Sequence, residues 1–215
     1  MIVRDLLKQR IVELAERVGF TFERRTGRYR NNATGRFVAE RTLRGLAEKF
    51  SDFTAQNMRR HTERFIAGEI DLPTWQDRIA KELRNSYLVS TQIGRGGKNA
   101  MTPADYGRIG GRLRFEYRKL NQFALEIKAG MLTDAQILAR VQLYAPGART
   151  AYYDGLTAAM KDAELTEERR VLNPAEHCED CVGYARMGWQ PIGTLPPPGT
   201  MSRCLHNCQC TMEYR

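Results

Sequence analysis

The chain has 215 residues, with 34 Lys and Arg against 25 Asp and Glu, for a formal net charge of +9. Its hydrophobic fraction of 42% is ordinary for a folded chain, and the length suffices to bury a real core. No stretch reaches the roughly 18 uncharged apolar residues of a membrane span. The opening MIVRDLLKQRIVELAERV is charged throughout and reads as something other than a secretory signal, so reduced thiols are expected.

The first expected element is a helix in which Val3, Leu7, Ile11, Leu14 and Val18 recur at steps of four and three. Residues 20–38 break that period with two Thr-Gly pairs and Asn-Asn, and read as an irregular or hairpin-like connection. Arginines crowd this region: Arg24, Arg25, Arg28, Arg30, Arg36, Arg41 and Arg44, with Glu40 the only acid among residues 24–44. A second helix is expected from about Ala39 to Ala67, with Leu43, Leu46, Phe50, Met58 and Phe65 inward and Gly68 as its stop. A third follows Pro73 with Trp75, Ile79, Leu83 and Tyr87 at four-residue steps. It dissolves at GRGGKN, residues 94–99, which lacks the spacing of a phosphate loop and reads as a flexible hinge carrying Arg95 and Lys98.

Thr102 and Pro103 open a fourth helix, and Ile109, Leu113, Tyr117, Leu120, Ala124 and Ile127 form its stripe. Thr133 and Gln136 make a capping box for a fifth, and a further helix is expected from about Gly147 to Ala163. The fold class is therefore mostly α: a basic body of five to six amphipathic helices over residues 1–165, followed by a small Cys/Pro-rich module over 166–215. In that module RRVLN suggests a short strand, EHCEDCVGYARMGW a turn and short helix, and QPIGTLPPPGT an extended loop. The charge follows the same division. Residues 1–159 hold 28 basic and 17 acidic side chains, and residues 160–215 hold 6 and 8. A basic body is the footprint of a polyanion or an acidic protein surface.

All five cysteines lie in the module, spaced C-x2-C, 22 residues, then C-x3-C-x-C. Cys178 and Cys181 can grip one zinc from a tight turn, and a second pair brought across the proline loop completes a tetrahedron. Cys204, His206, Cys208 and Cys210 are four candidates for about two places, with His177 beside the first pair. The metal would staple a segment too small for a core of its own. Disulfides, or free buried thiols, are the alternatives. No HExxH, G-x-S-x-G, kinase or P-C-x-x-C deaminase signature occurs, so a non-enzymatic role is expected.

The run CEDC…GWQPIGTLPPPG…CLHNCQC resembles the C-terminal cysteine module of phage head morphogenesis proteins, the minor head proteins grouped with protein F of phage Mu. Gln209 stands where that family usually has Arg, and Leu205 where many members have His. AGEIDLPTWQDRIAKELR and FALEIKAGMLTDAQILAR resemble the family's helical region more broadly. The resemblance implies a low-copy virion protein, assembled in the host cytoplasm and then lodged in the head interior or at the portal vertex. Its implied partners are the portal or other capsid proteins, and double-stranded DNA, with no membrane. A polyanion or partner contact is expected at Arg24, Arg25, Arg28, Arg30, Arg36, Arg41, Arg44, Arg95 and Lys98. The alternatives are a zinc-stapled nucleic-acid-binding regulator and an HNH-like metal-dependent nuclease using His206.

Overall fold

The structure is a computed structural model that describes residues 2–215, except for the side chains of residues 2–4 and of His206. The side chains of Val3, in the first stripe, and of His206 therefore lie outside what is described. The fold is mostly helical, with two small antiparallel sheets. In chain order it runs α1 (Ile2–Glu13, extended by a π-helical turn, Leu14–Val18), β1 (Phe20–Glu23), β2 (Arg28–Asn31), β3 (Phe37–Val38), α2 (Glu40–Ile66), α3 (Leu72–Arg95) and α4 (Pro103–Lys128). It continues with α5 (Asp134–Val141), α6 (Gly147–Asp162), β4 (Glu167–Val171), α7 (Glu179–Arg186), β5 (Gln190–Pro191) and β6 (Thr211–Tyr214). No helix among the described residues is long and apolar enough to cross a membrane.

α3 is the spine. Its first half places Trp75, Ile79, Leu83 and Tyr87 in one apolar cluster with Met58 of α2, Ile109, Leu113 and Phe123 of α4, and Val141. Its second half places Val89 and Ile93 in another cluster with Phe50 of α2 and Tyr152, Tyr153 and Leu156 of α6. Four-residue spacing builds the first half, as the sequence predicts. The second half is buried on every side, because α6 crosses it at a glycine on each helix. A Cβ on Gly94 would collide with the backbone carbonyl of Tyr152, and one on Gly155 with that of Thr91. Small residues are thus the condition for this close approach.

That crossing corrects the expected hinge. Gly94 lies inside α3, and Gly96 caps the helix in the left-handed region with φ 91°. Arg95 is not a surface cation: its side chain is 3% exposed. Its guanidinium donates to Asp105 Oδ2 at 2.8 Å and to Asp162 Oδ2 at 2.6 Å. Asp105 also belongs to the capping box that opens α4 with Thr102. One buried arginine therefore ties the end of α3 to the start of α4 and the end of α6, and GRGGKN is a packed junction. Lys98 remains exposed beyond it.

Two other expectations need refinement. The Arg-rich connection is a three-stranded antiparallel sheet in the order β1-β2-β3, with Tyr29 paired to Phe22 and Val38. Tyr29 alone of β2 is buried and meets Phe22 edge-on, so one aromatic on the inner face sets the register. In α1, Ile11 and Ala15 reach the core but Leu7 is 38% exposed.

The module is not an appendage without a core. Leu195 and Met212 belong to the same buried cluster as Phe50 and Tyr152, and Ile192, Tyr184 and Tyr214 pack against it. The second sheet, in the order β5-β4-β6, presents this contact. β4 turns Glu168 and Arg170 inward rather than apolar side chains.

Candidate metal centre

Cys178 and Cys181 sit at the start of α7, where Cys178 occupies the cap position and Cys181 the first turn. Cys204, Cys208 and Cys210 arrive from the far side of the proline loop. The return is fixed at Arg203, whose backbone N–H donates to Asp180 Oδ2 at 2.8 Å and whose guanidinium pairs with Glu179 at 2.7 Å. The loop itself is held by the two polar side chains of β4. Glu168 Oε1 accepts from the backbone N–H of Gly193 at 3.0 Å and of Leu195 at 2.8 Å. Arg170 donates to the carbonyl of Pro196. A proline-rich segment offers few N–H groups to a ladder, so side chains supply its anchors.

The two cysteine groups meet. Cys204 Sγ lies 3.6 Å from Cys178 Sγ and 3.5 Å from Cys181 Sγ, and Cys181 Sγ lies 3.6 Å from Cys208 Sγ. Zinc–sulfur bonds of about 2.3 Å in a tetrahedron put sulfurs about 3.8 Å apart. A disulfide needs about 2.05 Å. The separations match the edge of a metal tetrahedron, and all five cysteines are free thiols. Cys181, Cys208 and Cys210 are buried, and Cys178 and Cys204 are half-buried. The donor set fits a soft divalent ion of the zinc type.

The thiols are prepared unequally. The backbone N–H of Cys181 supports the Cys178 thiolate and holds its pKa down to about 7. Burial pushes the Cys181 and Cys204 thiols up. For Cys208 burial also acts upward, but the Cys210 backbone N–H and neighbouring thiols more than offset it, and the net value is lowered.

Two residues that spacing alone did not single out belong to the site. Arg170 is buried, and its guanidinium lies 3.9 Å from Cys181 Sγ and 3.8 Å from Cys208 Sγ. His177 Nδ1 lies 3.6 Å from Cys210 Sγ, and its Nε2 is 2.7 Å from the carbonyl of Asn173. The only advance signal for His177 was its place next to Cys178. Nothing in EERRV announced that Arg170 would point inward.

The expected polyanion contacts divide. Arg25, Arg28, Arg36 and Arg41 are exposed and form no ion pair among the described residues. Arg24 pairs with Glu164 at 2.9 Å and Arg30 with Glu23 at 2.6 Å, both near the surface. Arg44 is half-buried and donates to the carbonyl of Cys210 at 2.7 Å, so it fastens the module to α2 rather than facing a partner. Arg95 is buried, as described.

No family model, curated protein or solved structure matches the chain.

Proposed function

We propose that the chain is a phage minor head protein of the head morphogenesis type, a structural and assembly component and not an enzyme. In this reading zinc, held by the C-terminal thiolates, makes residues 166–215 a rigid docking knob. The basic body lies against the portal, the capsid interior or packaged DNA. The observation that carries the reading is the convergence of the two cysteine groups across the proline loop, in the segment that resembles the family module. The donors are thiols packed against one another and against Arg170, which suits a closed structural site better than a catalytic one with a substrate position.

The test is association with a portal ring. The chain should co-purify with the ring, and replacing Arg25, Arg28, Arg36 and Arg41 by Ala should weaken that association more at low salt than at high salt. Association unchanged at every ionic strength would remove the hairpin arginines from the account. Those four unpaired cations also favour a second reading, a zinc-stapled nucleic-acid-binding regulator. Sequence-preferring, salt-dependent binding to free DNA with no affinity for a portal would select it.

A further inference from the structure

We propose that the outer face of α4 is a binding surface for the phosphate backbone of duplex DNA. This rests on the basic-body part of the reading above and puts a contact where the hairpin arginines do not reach. The first argument is the sorting of charge on the helix. Arg108, Arg112, Arg114, Arg118, Lys119 and Lys128 are all exposed. The acids of the same helix turn away from solvent: Asp105 is buried, and Glu116 and Glu126 are half-buried. Glu126 is held by Arg140. On α6, Asp154 pairs with Arg112 at 2.6 Å and Asp162 with the buried Arg95 at 2.6 Å. Arg114, Arg118 and Lys128 form no ion pair among the described residues, and Lys119 reaches Glu116 only at 3.9 Å. Arg84, exposed on α3 beside Tyr117, adds a cation on the flank.

The second argument is spacing. Arg108 and Arg112 stand four residues apart, as do Arg114 and Arg118, and like charges at that separation on a helix repel. A face of one sign is a cost to the free chain that an anionic strand relieves. From Arg108 to Lys119 the helix rises about 16 Å. Duplex DNA carries one charge per roughly 1.7 Å of its axis, so several phosphates can face this run at once. Neutralising them releases their counterions, which is the main source of affinity in backbone contacts.

The third argument separates DNA from an acidic protein. Protein interfaces are organised around apolar or aromatic anchors seated in pockets. The exposed aromatic in the middle of this face, Phe115, lies under Lys119, 4.2 Å from the ring centroid, and near Arg118 at 5.8 Å. Its ring steadies two cationic heads and is not free to anchor a partner. Gly107, Gly110 and Gly111 stand among the cations, and a Cβ on any of them would meet nothing within 4 Å. Packing within the chain does not call for glycine there, and glycine weakens a helix relative to alanine. What glycine leaves is bare helix backbone between the cations, over which a phosphate strand can pass closely.

The experiment is fluorescence anisotropy of labelled duplexes of two unrelated sequences, titrated with the full chain at salt from about 50 to 200 mM. The expected result is similar affinity for both, since phosphate contacts carry no sequence information. Replacing Arg114, Arg118 and Lys119 together by Ala should weaken binding about tenfold or more, and the slope of log affinity against log salt should shrink by about 3. Gly111→Glu sets a carboxylate among the cations in open space and should weaken binding, whereas Gly111→Gln should not. Both replacements favour the helix over glycine, so the fold is kept. A triple variant that binds like the unaltered chain overturns the α4 face, as does a Gly111→Gln loss equal to that of Gly111→Glu. Loss confined to the variant lacking Arg25, Arg28, Arg36 and Arg41 returns the contact to the hairpin. A preference above about tenfold between the duplexes, or tighter binding to a single strand, overturns backbone recognition of a duplex. Equal binding of polyglutamate at the same charge concentration assigns the face to an acidic protein surface instead. No duplex binding at about 50 mM salt overturns the proposal, while co-purification with a portal ring decides the reading above on its own.

Discussion

The helical body and the C-terminal module solve the same problem with different chemistry. In the body, apolar side chains at helical spacing fill two clusters, and α3 belongs to both. In the module the inward positions of β4 are Glu168 and Arg170, and the inward positions around α7 are sulfurs. The body's stability thus comes mainly from area removed from water. The module contributes only Leu195, Met212 and a few partial contacts to that area. Its shape depends on directed bonds: two backbone N–H groups on Glu168, the Arg170 contacts, and whatever joins the five sulfurs. Such a segment should fail abruptly when its cross-link goes, whereas the body should lose stability by degrees.

The largest expected effect tests that contrast. Structural zinc contributes apparent binding energies of about 10–16 kcal/mol in small modules. Chelation, or Cys178→Ser with Cys181→Ser, should therefore free residues 166–215 while α2, α3, α4 and α6 persist. Hydrogen exchange should show fast amides across the module and continued protection in α3, with helical dichroism nearly unchanged. A collapse of α3 protection as well would show that Leu195 and Met212 make body and module one cooperative unit.

The contrast also explains what the sequence discloses and what it hides. Trp75, Ile79, Leu83 and Tyr87 announce a buried face because apolar periodicity reports burial in a helix. The capping residues Thr102, Thr133 and Gln136 announce helix starts because local hydrogen bonds need only local residues. The cysteine spacing suggested a site, since ligands that close a loop must come in groups. Arg95 was misread because its partners, Asp105 and Asp162, lie beyond the glycines that look like a hinge. β4 was legible as a strand but not as an inward polar face, because alternation is informative only when the buried side chains are apolar. Arg44 and Arg170 were hidden for the same reason: a buried cation is defined by its partners, and those are distant in sequence.

A middle-sized effect is expected at the buried junction of the body, where it too uses the module's kind of chemistry. Burial alone would push the Asp105 carboxyl up. The Thr102 N–H and hydroxyl, with the guanidinium groups of Arg95 and Arg108, more than offset it and hold it below the ordinary value of 3.8. A depressed folded-state pKa means stability that is present above the unfolded value and lost as pH falls through the folded one. Asp105→Ala leaves Arg95 buried with only the exposed Asp162, and should cost about 3–5 kcal/mol at neutral pH. Chemical denaturation at pH 7 measures it. Asp105→Asn should fall between, since it keeps hydrogen bonds but not charge. A loss under about 1 kcal/mol for Asp105→Ala would mean Asp162 alone satisfies Arg95.

The smallest effect has the opposite sign and comes from a half-buried carboxyl of the body. Glu40 begins α2 and accepts from the Tyr152 hydroxyl at 2.7 Å. Burial raises its pKa above the ordinary 4.5, against the pull of the Tyr152 hydrogen bond and of Arg44. Below the unfolded value the carboxyl is neutral in both states and costs nothing. As pH rises from there through the raised folded value, the unfolded chain ionises more readily than the folded one, and stability is lost. Glu40→Gln keeps an acceptor for Tyr152 and removes the charge. Its Tm should match the unaltered protein below about pH 4.5 and exceed it modestly at pH 7. A lower Tm at pH 7 would show that the favourable field of the helix start and of Arg44 outweighs burial. In that case charge pairing would govern the body's N-terminal face as it governs the Asp105 junction, and the line between an apolar body and a polar module would move.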